Sequence, residues 1–247
     1  MAPHSPAPAP GVRRPYRQVA DQLRDLLAEG NYPPGSRLPP ERDIAVQLKV
    51  SRTTVREALI ALELAGLVEV RGGSGVYVTA LPRSGALTIE STDSGPGPFE
   101  LLQARRLLEG EIAALAAESI DEAGLAHIEE SIRLLEQSGH SSIERETNDR
   151  QFHMSIAEAT KNSALIQTVR LYWDMRRGSM WTKIVEHFHT PALLSAVIAD
   201  HRAIYSALRE RSPAAARRSM QRHLRRVERE FAQSWNEGLD GAIDRAL

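Results

Sequence analysis

Asp149 and His153 stand four residues apart in "NDRQFHMSIAEA" and therefore share one face of a helix. Ile156 and Ala157 continue that face, which turns both polar groups inward. His201, in "DHRAIYSAL", lies on a helix with Ile204, Tyr205 and Leu208; His223, in "MQRHLRRVE", accompanies Met220, Leu224 and Val227. A lone inward histidine is usually a hydrogen-bonded core residue. Three of them on separate helices, with a carboxylate beside one, make a different case. Buried polar groups without partners are costly, and one divalent cation satisfies all four together. Three imidazoles and a carboxylate suit Zn²⁺, Ni²⁺ or Mn²⁺ with coordination positions open; ligand type alone does not select among them, and Zn²⁺ is the ion expected.

A second chemistry stands near the other end, in "KVSRTTVREAL", residues 49–59. Lys49, Arg52 and Arg56 gather where a helix begins, yet a helix N-terminus already carries roughly half a positive charge. An external anion would compensate them. Ser51 is a good N-cap for a helix over Arg52–Leu64 that buries Val55, Leu59, Ile60 and Leu62 and stops at Gly66. Arg52, Thr53 and Arg56 then face outward. Arginine matches guanine bidentately, threonine hydroxyls reach phosphates or base edges, and the helix end itself favours phosphate. Arg42, in the preceding short helix, can approach from the side; Gly72, Gly73 and Gly75 allow close backbone approach. The alternative is a surface helix with solvated arginines and a glycine-rich hairpin turn.

The elements that must position these groups follow from periodicity. Val19, Leu23, Leu26 and Leu27 share a face of a helix over 16–30, and Ile44, Ala45 and Leu48 that of a second short helix. "LVEVRGGSGVYV" changes to a β-hairpin, which completes a helix–turn–helix–wing order. "LPRSGALTIESTDSGPGP", rich in Pro, Gly, Ser and Thr, reads as a linker. Beyond it, helices are expected near 99–119, 122–138, 142–160, 163–177, 179–188, 192–211 and 213–236, with no strand-like alternation. The expected fold class is mainly α: a winged helix-turn-helix followed by an antiparallel bundle of six or seven helices. The expected division is a disordered Pro/Ala-rich tail over 1–14, a DNA-binding domain over 15–80, a linker over 81–98 and a metal- and effector-binding domain over 99–236.

The totals agree with a soluble protein: 247 residues, 42% hydrophobic and 26% charged, with a net charge of −1 that points to no partner. The absence of cysteine excludes disulfides and thiolate metal sites. No apolar run is long enough to span a membrane, and the N-terminus has no signal-peptide core, so a cytoplasmic location is expected.

"PPGSRLPPERDIAVQLKVSRTTVREALIALELAGLVEVRGGSGVYV" closely resembles the N-terminal domain of GntR-family bacterial transcription regulators. The resemblance implies DNA contacts at Arg42, Arg52, Thr53, Thr54, Arg56 and, in the wing, Gly73. One departure is Pro40, where the family often has a Ser or Thr that would cap the next helix, a loss of about 1 kcal/mol. "ARRLLEGEIAALAA", "DRQFHMSIAEATKNSAL" and "DHRAIYSALRERSPAAARRSMQRHL" resemble the all-helical FCD effector domain of the FadR subfamily. In many such domains an Asp and three His bind a metal that a small carboxylate effector coordinates; Asp149, His153, His201 and His223 match those positions. Arg105 matches the family's effector-side arginine and is a candidate partner for the effector carboxylate; the competing role is an intrahelical pair with Glu109, one turn on. His187 and His189 read as surface residues. The run Arg217, Arg218, Arg222, Arg225, Arg226 and Arg229 reads as a solvated face or an interface before a second DNA surface.

These readings converge on a metabolite-responsive regulator, a repressor rather than an enzyme. It would bind a palindromic double-stranded DNA operator as a homodimer, because one small head contacts too few bases. The effector expected is a small organic acid: a hydroxy, keto or sugar acid. Two rivals remain at this point: a metal-dependent enzyme tethered to a DNA-binding head, and an effector-free DNA binder with a structural metal.

Overall fold

The computed structural model describes residues 14–71, 74–80, 96–139, 141–177, 181 and 191–237. They fall into two compact units, one running through Gly97 and the other comprising Pro98–Arg177 and Trp181–Ser234.

In the first unit, three helices pack their apolar faces together: α1 (Pro15–Ala28), α2 (Glu41–Leu48) and α3 (Arg52–Leu64). Val19, Leu23 and Leu27 from α1, Ile44 from α2, and Val55, Leu59 and Leu62 from α3 are almost fully buried. Ser51 caps α3 by accepting the Thr54 N–H at 3.0 Å. The helix ends at Gly66, whose φ of +70° suits glycine. There the Gly66 N–H reaches the Glu63 carbonyl at 2.8 Å and the Leu67 N–H the Leu62 carbonyl at 2.9 Å, which satisfies the last turn. Strands β1 (Val68–Arg71) and β2 (Gly75–Val78) follow, antiparallel, with Val68 opposite Val78 and Arg71 opposite Gly75. The connector before α2 is more than a turn. Leu38 N–H donates to the Val76 carbonyl at 2.8 Å and Val78 N–H to the Ser36 carbonyl at 2.9 Å, so residues 36–38 run along the free edge of β2.

One local expectation, at Lys49, needs correction, and the missing side-chain cap at Pro40 is as expected. Lys49 does not open α3; it closes α2 in the left-handed conformation, φ 55°, where a cation sits favourably at a helix C-terminus. Pro40 provides no side-chain cap to α2, but its carbonyl accepts the Asp43 N–H at 2.8 Å and the Ile44 N–H at 3.1 Å, and the acids Glu41 and Asp43 complement the helix dipole.

The second unit is helical throughout its described residues: α4 (Pro98–Ser119), α5 (Glu122–Gln137), α6 (Ser142–Ala159), α7 (Ser163–Asp174), a 3₁₀ turn (Met175–Arg177), α8 (Pro191–Arg209) and α9 (Pro213–Glu237). The helix expected through 177 thus tightens at Met175, and the one expected over 179–188 lies, apart from Trp181, outside the described residues. Asp121, Ser141 and Asn162 cap α5, α6 and α7 through their side chains. Helix α6 is central: it packs on α4, α5 and α7, while α8 packs on α4 and α5. Ile112, Ile128, Ile132, Phe152, Trp173, Ile204 and Leu208 form the core around it.

Candidate functional site

On α3, Arg52 is exposed and Thr53 half-buried, while Arg42 projects from α2 with 77% of its side chain accessible. Thr54 is less available: its hydroxyl lies 2.8 Å from the Ser51 hydroxyl. Arg56 departs most from the outward-facing expectation. Its Nε and Nη2 donate to Glu41 at 3.0 and 2.9 Å, and each side chain is only about 16–17% accessible. The outward face of α3 at that point faces α2, and Glu41 takes up the guanidinium. Arg56 therefore ties the two helices together as well as lying beside the exposed surface. Gly73, with Gly72, lies outside the described residues.

In the helical unit, α6 supplies Asp149 and His153, α8 His201, and α9 His223. One ligand atom from each of these four lies within 4.8 Å of every other. The three imidazoles are at most 2% exposed. His201 Nε2 lies 3.4 Å and His153 Nε2 3.7 Å from Asp149 Oδ1. His201 stacks on Phe152 with ring centres 3.8 Å apart and planes 8° from parallel, which fixes its ring. Both nitrogens of His201, Nε2 of His153, Nδ1 of His223 and Oδ1 of Asp149 are buried without a hydrogen-bond partner among the described residues. Orphans of this kind are costly, and all five are atoms that bind divalent cations.

Electrostatics keep His201, His223 and Asp149 in the form that binds a cation. Burial, reinforced by neighbouring cationic groups, pushes His201 and His223 well below the usual imidazole pKa, so both are neutral at physiological pH. Burial opposes charge on Asp149, but His153, Arg176, His223 and Arg105 outweigh it and lower its pKa.

Three groups that spacing alone did not assign surround the cluster. Glu109, fully buried on α4, lies 2.5 Å from His153 Nδ1 and accepts Arg105 Nε at 2.6 Å. Burial would raise its pKa, yet Arg105 and His153 hold it well below the carboxylate range. Such a carboxylate behind a ligand histidine fixes the tautomer and ring orientation. Arg105 is thus in the intrahelical pair weighed as its alternative role, and it also lines the adjoining cavity. Arg176 is 6% exposed, with its guanidinium carbon 3.8 Å from the Trp173 ring centre and 4.5 Å from that of Trp181. Burial, and then the like charge of Arg105, lowers its pKa to about 10, which still leaves it cationic. Asp200, next to His201 in sequence and buried, instead binds Arg226 at 2.7 Å. Arg217 likewise pairs with Glu111 on α4, so part of the arginine run on α9 serves as interhelical ties. His187 and His189 lie outside the described residues.

The cluster opens on a cavity. Its polar side carries Arg105, Arg145, Glu146, Asp149, Arg176 and His223; Leu193, Leu194 and Val197 are part of its apolar side. This is the composition of a small-ligand site, an apolar wall with a few convergent polar groups.

Two family models match: "Bacterial regulatory proteins, gntR family" over residues 15–78 and "FCD domain" over residues 100–226. The chain is 41% identical over 235 residues to the Uxu operon transcriptional regulator of Escherichia coli K12, covering 92% of this chain and 91% of the relative. It is 36% identical over 239 residues to the Exu regulon transcriptional regulator of the same strain, covering 95% and 91%. Among solved structures, E. coli McbR/YncC shares the fold at 23% identity, with a TM-score of 0.50 over 91% of this chain and 100% of that one. The helix–turn–helix–wing head, the helical unit that follows it and these relatives place the chain in the GntR family of bacterial transcription regulators, with an FCD domain, and among regulators rather than enzymes.

Proposed function

We propose that the protein is a repressor in which a small carboxylate, bound beside a divalent cation in the helical unit, controls the DNA affinity of the winged head. The observation that carries this reading is the convergence of Asp149, His153, His201 and His223 next to an arginine-lined cavity. Zn²⁺ suits the four donors, and in such a site it supplies a Lewis-acidic position for an oxygen ligand. The charge balance favours a cation-dependent anion. Arg105, Arg145 and Arg176 are formally balanced by Glu109, Glu146 and Asp149, so a divalent ion leaves net positive charge for a carboxylate to neutralise.

In this reading Arg42, Arg52, Thr53, Thr54, Arg56 and Gly73 form the DNA surface. Two copies of the head, brought together in a homodimer, read a palindromic operator in the cytoplasm. No helix among the described residues is long and apolar enough to cross a membrane. The effector is a hydroxy, keto or sugar acid, and it acts through its differential affinity for the DNA-competent and DNA-released states. Fluorescence anisotropy on a duplex selected by the protein from a random pool tests the proposal. With zinc present, at least one such acid is expected to lower duplex affinity at least five-fold, and chelation to abolish the response. An unchanged isotherm across the whole panel refutes it.

A further inference from the structure

Of the arginines that line the cavity, Arg105 and Arg176 are nearly buried, and their partners differ. Arg105 is held by Glu109, and Glu109 is in turn held against His153. Releasing Arg105 to a ligand would strip a fully buried carboxylate of its main counter-charge and loosen a ligand histidine. Among the described residues Arg176 has no carboxylate hydrogen-bonded to it in this way. Its Nε and Nη1 are buried without a hydrogen bond among the described residues, and Asp149 Oδ2 stands 3.6 Å from Nη1, too far for one. That carboxylate belongs to the metal cluster, so a cation bound there competes with Arg176 for it. The two indole rings hold the guanidinium in place without satisfying its N–H groups.

The other orphans on the cavity wall point the same way. Arg145 Nε and the Trp181 indole N–H are also buried without a hydrogen-bond partner among the described residues. Like the Arg176 nitrogens, both can only donate. An occupant that satisfies them must bring several acceptor oxygens.

Resting on the carboxylate-sensing reading above, we propose that Arg176, not Arg105, seats the effector's carboxylate. Arg145 and the Trp181 N–H serve its remaining oxygens, so the ligand is an acid carrying further hydroxyl or carbonyl oxygens rather than a simple fatty acid. Arg105 is a positioning residue that acts through Glu109 on His153.

The test uses the full-length, zinc-loaded protein and four probes: propionate, lactate, pyruvate and gluconate. Probe affinity is read by thermal shift and calorimetry, and zinc content by elemental analysis. Wild-type protein is expected to respond to at least one oxygen-bearing probe and at least ten-fold less to propionate. Arg176→Gln should lose that response at least ten-fold while retaining its zinc. Arg176→Lys, which keeps a cation between the rings, gives a second reading that does not depend on tolerance of a neutral side chain; it should weaken binding because the planar fork is gone. Arg105→Gln should lower zinc affinity but respond to the probe normally once zinc is saturating. Undiminished probe affinity in either Arg176 variant overturns the assignment alone, as does loss of response in zinc-saturated Arg105→Gln. A wild-type response to propionate equal to the others overturns the ligand class. A zinc-loaded wild-type protein that responds to none of the probes overturns both this assignment and the sensing reading beneath it.

Discussion

His201→Leu should move the stability of the helical unit in opposite directions with and without metal. In the metal-free protein His201 is fully buried, with both ring nitrogens lacking a hydrogen-bond partner among the described residues. Each unsatisfied polar group costs about 1–3 kcal/mol, whereas the ring stacking on Phe152 that leucine forfeits contributes about 0.5–1.5 kcal/mol. The apolar replacement should therefore stabilise the chelated protein by at least about 0.5 kcal/mol. In the zinc-loaded protein the same change removes a ligand. A metal present at one hundred times its dissociation constant contributes about 2.7 kcal/mol, and each kcal/mol moves the midpoint of a domain this size by roughly 2–4 °C. Zinc should thus raise the wild-type midpoint by roughly 5–11 °C and that of His201→Leu by little. Differential scanning calorimetry with and without a chelator reads all four states. If His201→Leu lowers the midpoint equally in both conditions, His201 is a packing residue and the argument from its orphaned nitrogens is wrong.

Glu109→Gln keeps the shape but removes the charge behind His153, and should weaken zinc affinity about 10–100-fold in a competition assay with a coloured chelator. Acid should destabilise the chelated protein in a defined window. His201 and His223 have folded pKa values below the unfolded value of about 6.5, so the unfolded chain binds the extra protons. Stability is full above that pH and falls as pH drops below it, by up to roughly 1.4 kcal/mol per unit for each histidine in urea titrations. Arg52→Ala should weaken duplex binding with a shallower salt dependence, by about 0.9 in the log–log slope for each phosphate that the arginine no longer neutralises. Arg56→Ala should, in addition, destabilise the head by about 1–2 kcal/mol in urea unfolding, and the loss should be non-additive with Glu41→Ala.

Much of this was legible from spacing because each helix announces its own buried face. The interval between Asp149 and His153 and the apolar companions of His201 and His223 sufficed to nominate four inward groups, and the Ser51 cap and Gly66 stop fixed the ends of α3. What stayed hidden depends on two helices at once. Glu109 read only as an intrahelical partner for Arg105, because the i,i+4 rule sees only α4 and not His153 arriving from α6. Arg56 lies on the outward side of α3, but outward there means toward Glu41. Arg176 follows Trp173 at helical spacing, a cue to their stacking; its placement next to Asp149 comes only from tertiary packing. The left-handed turn at Lys49 was missed for a different reason: lysine seldom adopts it, and only the end of α2 requires it.

The ligand set spans three helices that are far apart along the chain, in a protein without a single cysteine. An ion taken up there works as a removable staple: it closes the long stretches of chain between α6, α8 and α9 and restricts the unfolded ensemble as a cross-link does. Unlike a disulfide, it has no bond for a reductant to cleave and is set by metal supply. Chelation should therefore loosen α6, α8 and α9 together, seen as a joint rise in their amide hydrogen exchange that added zinc reverses.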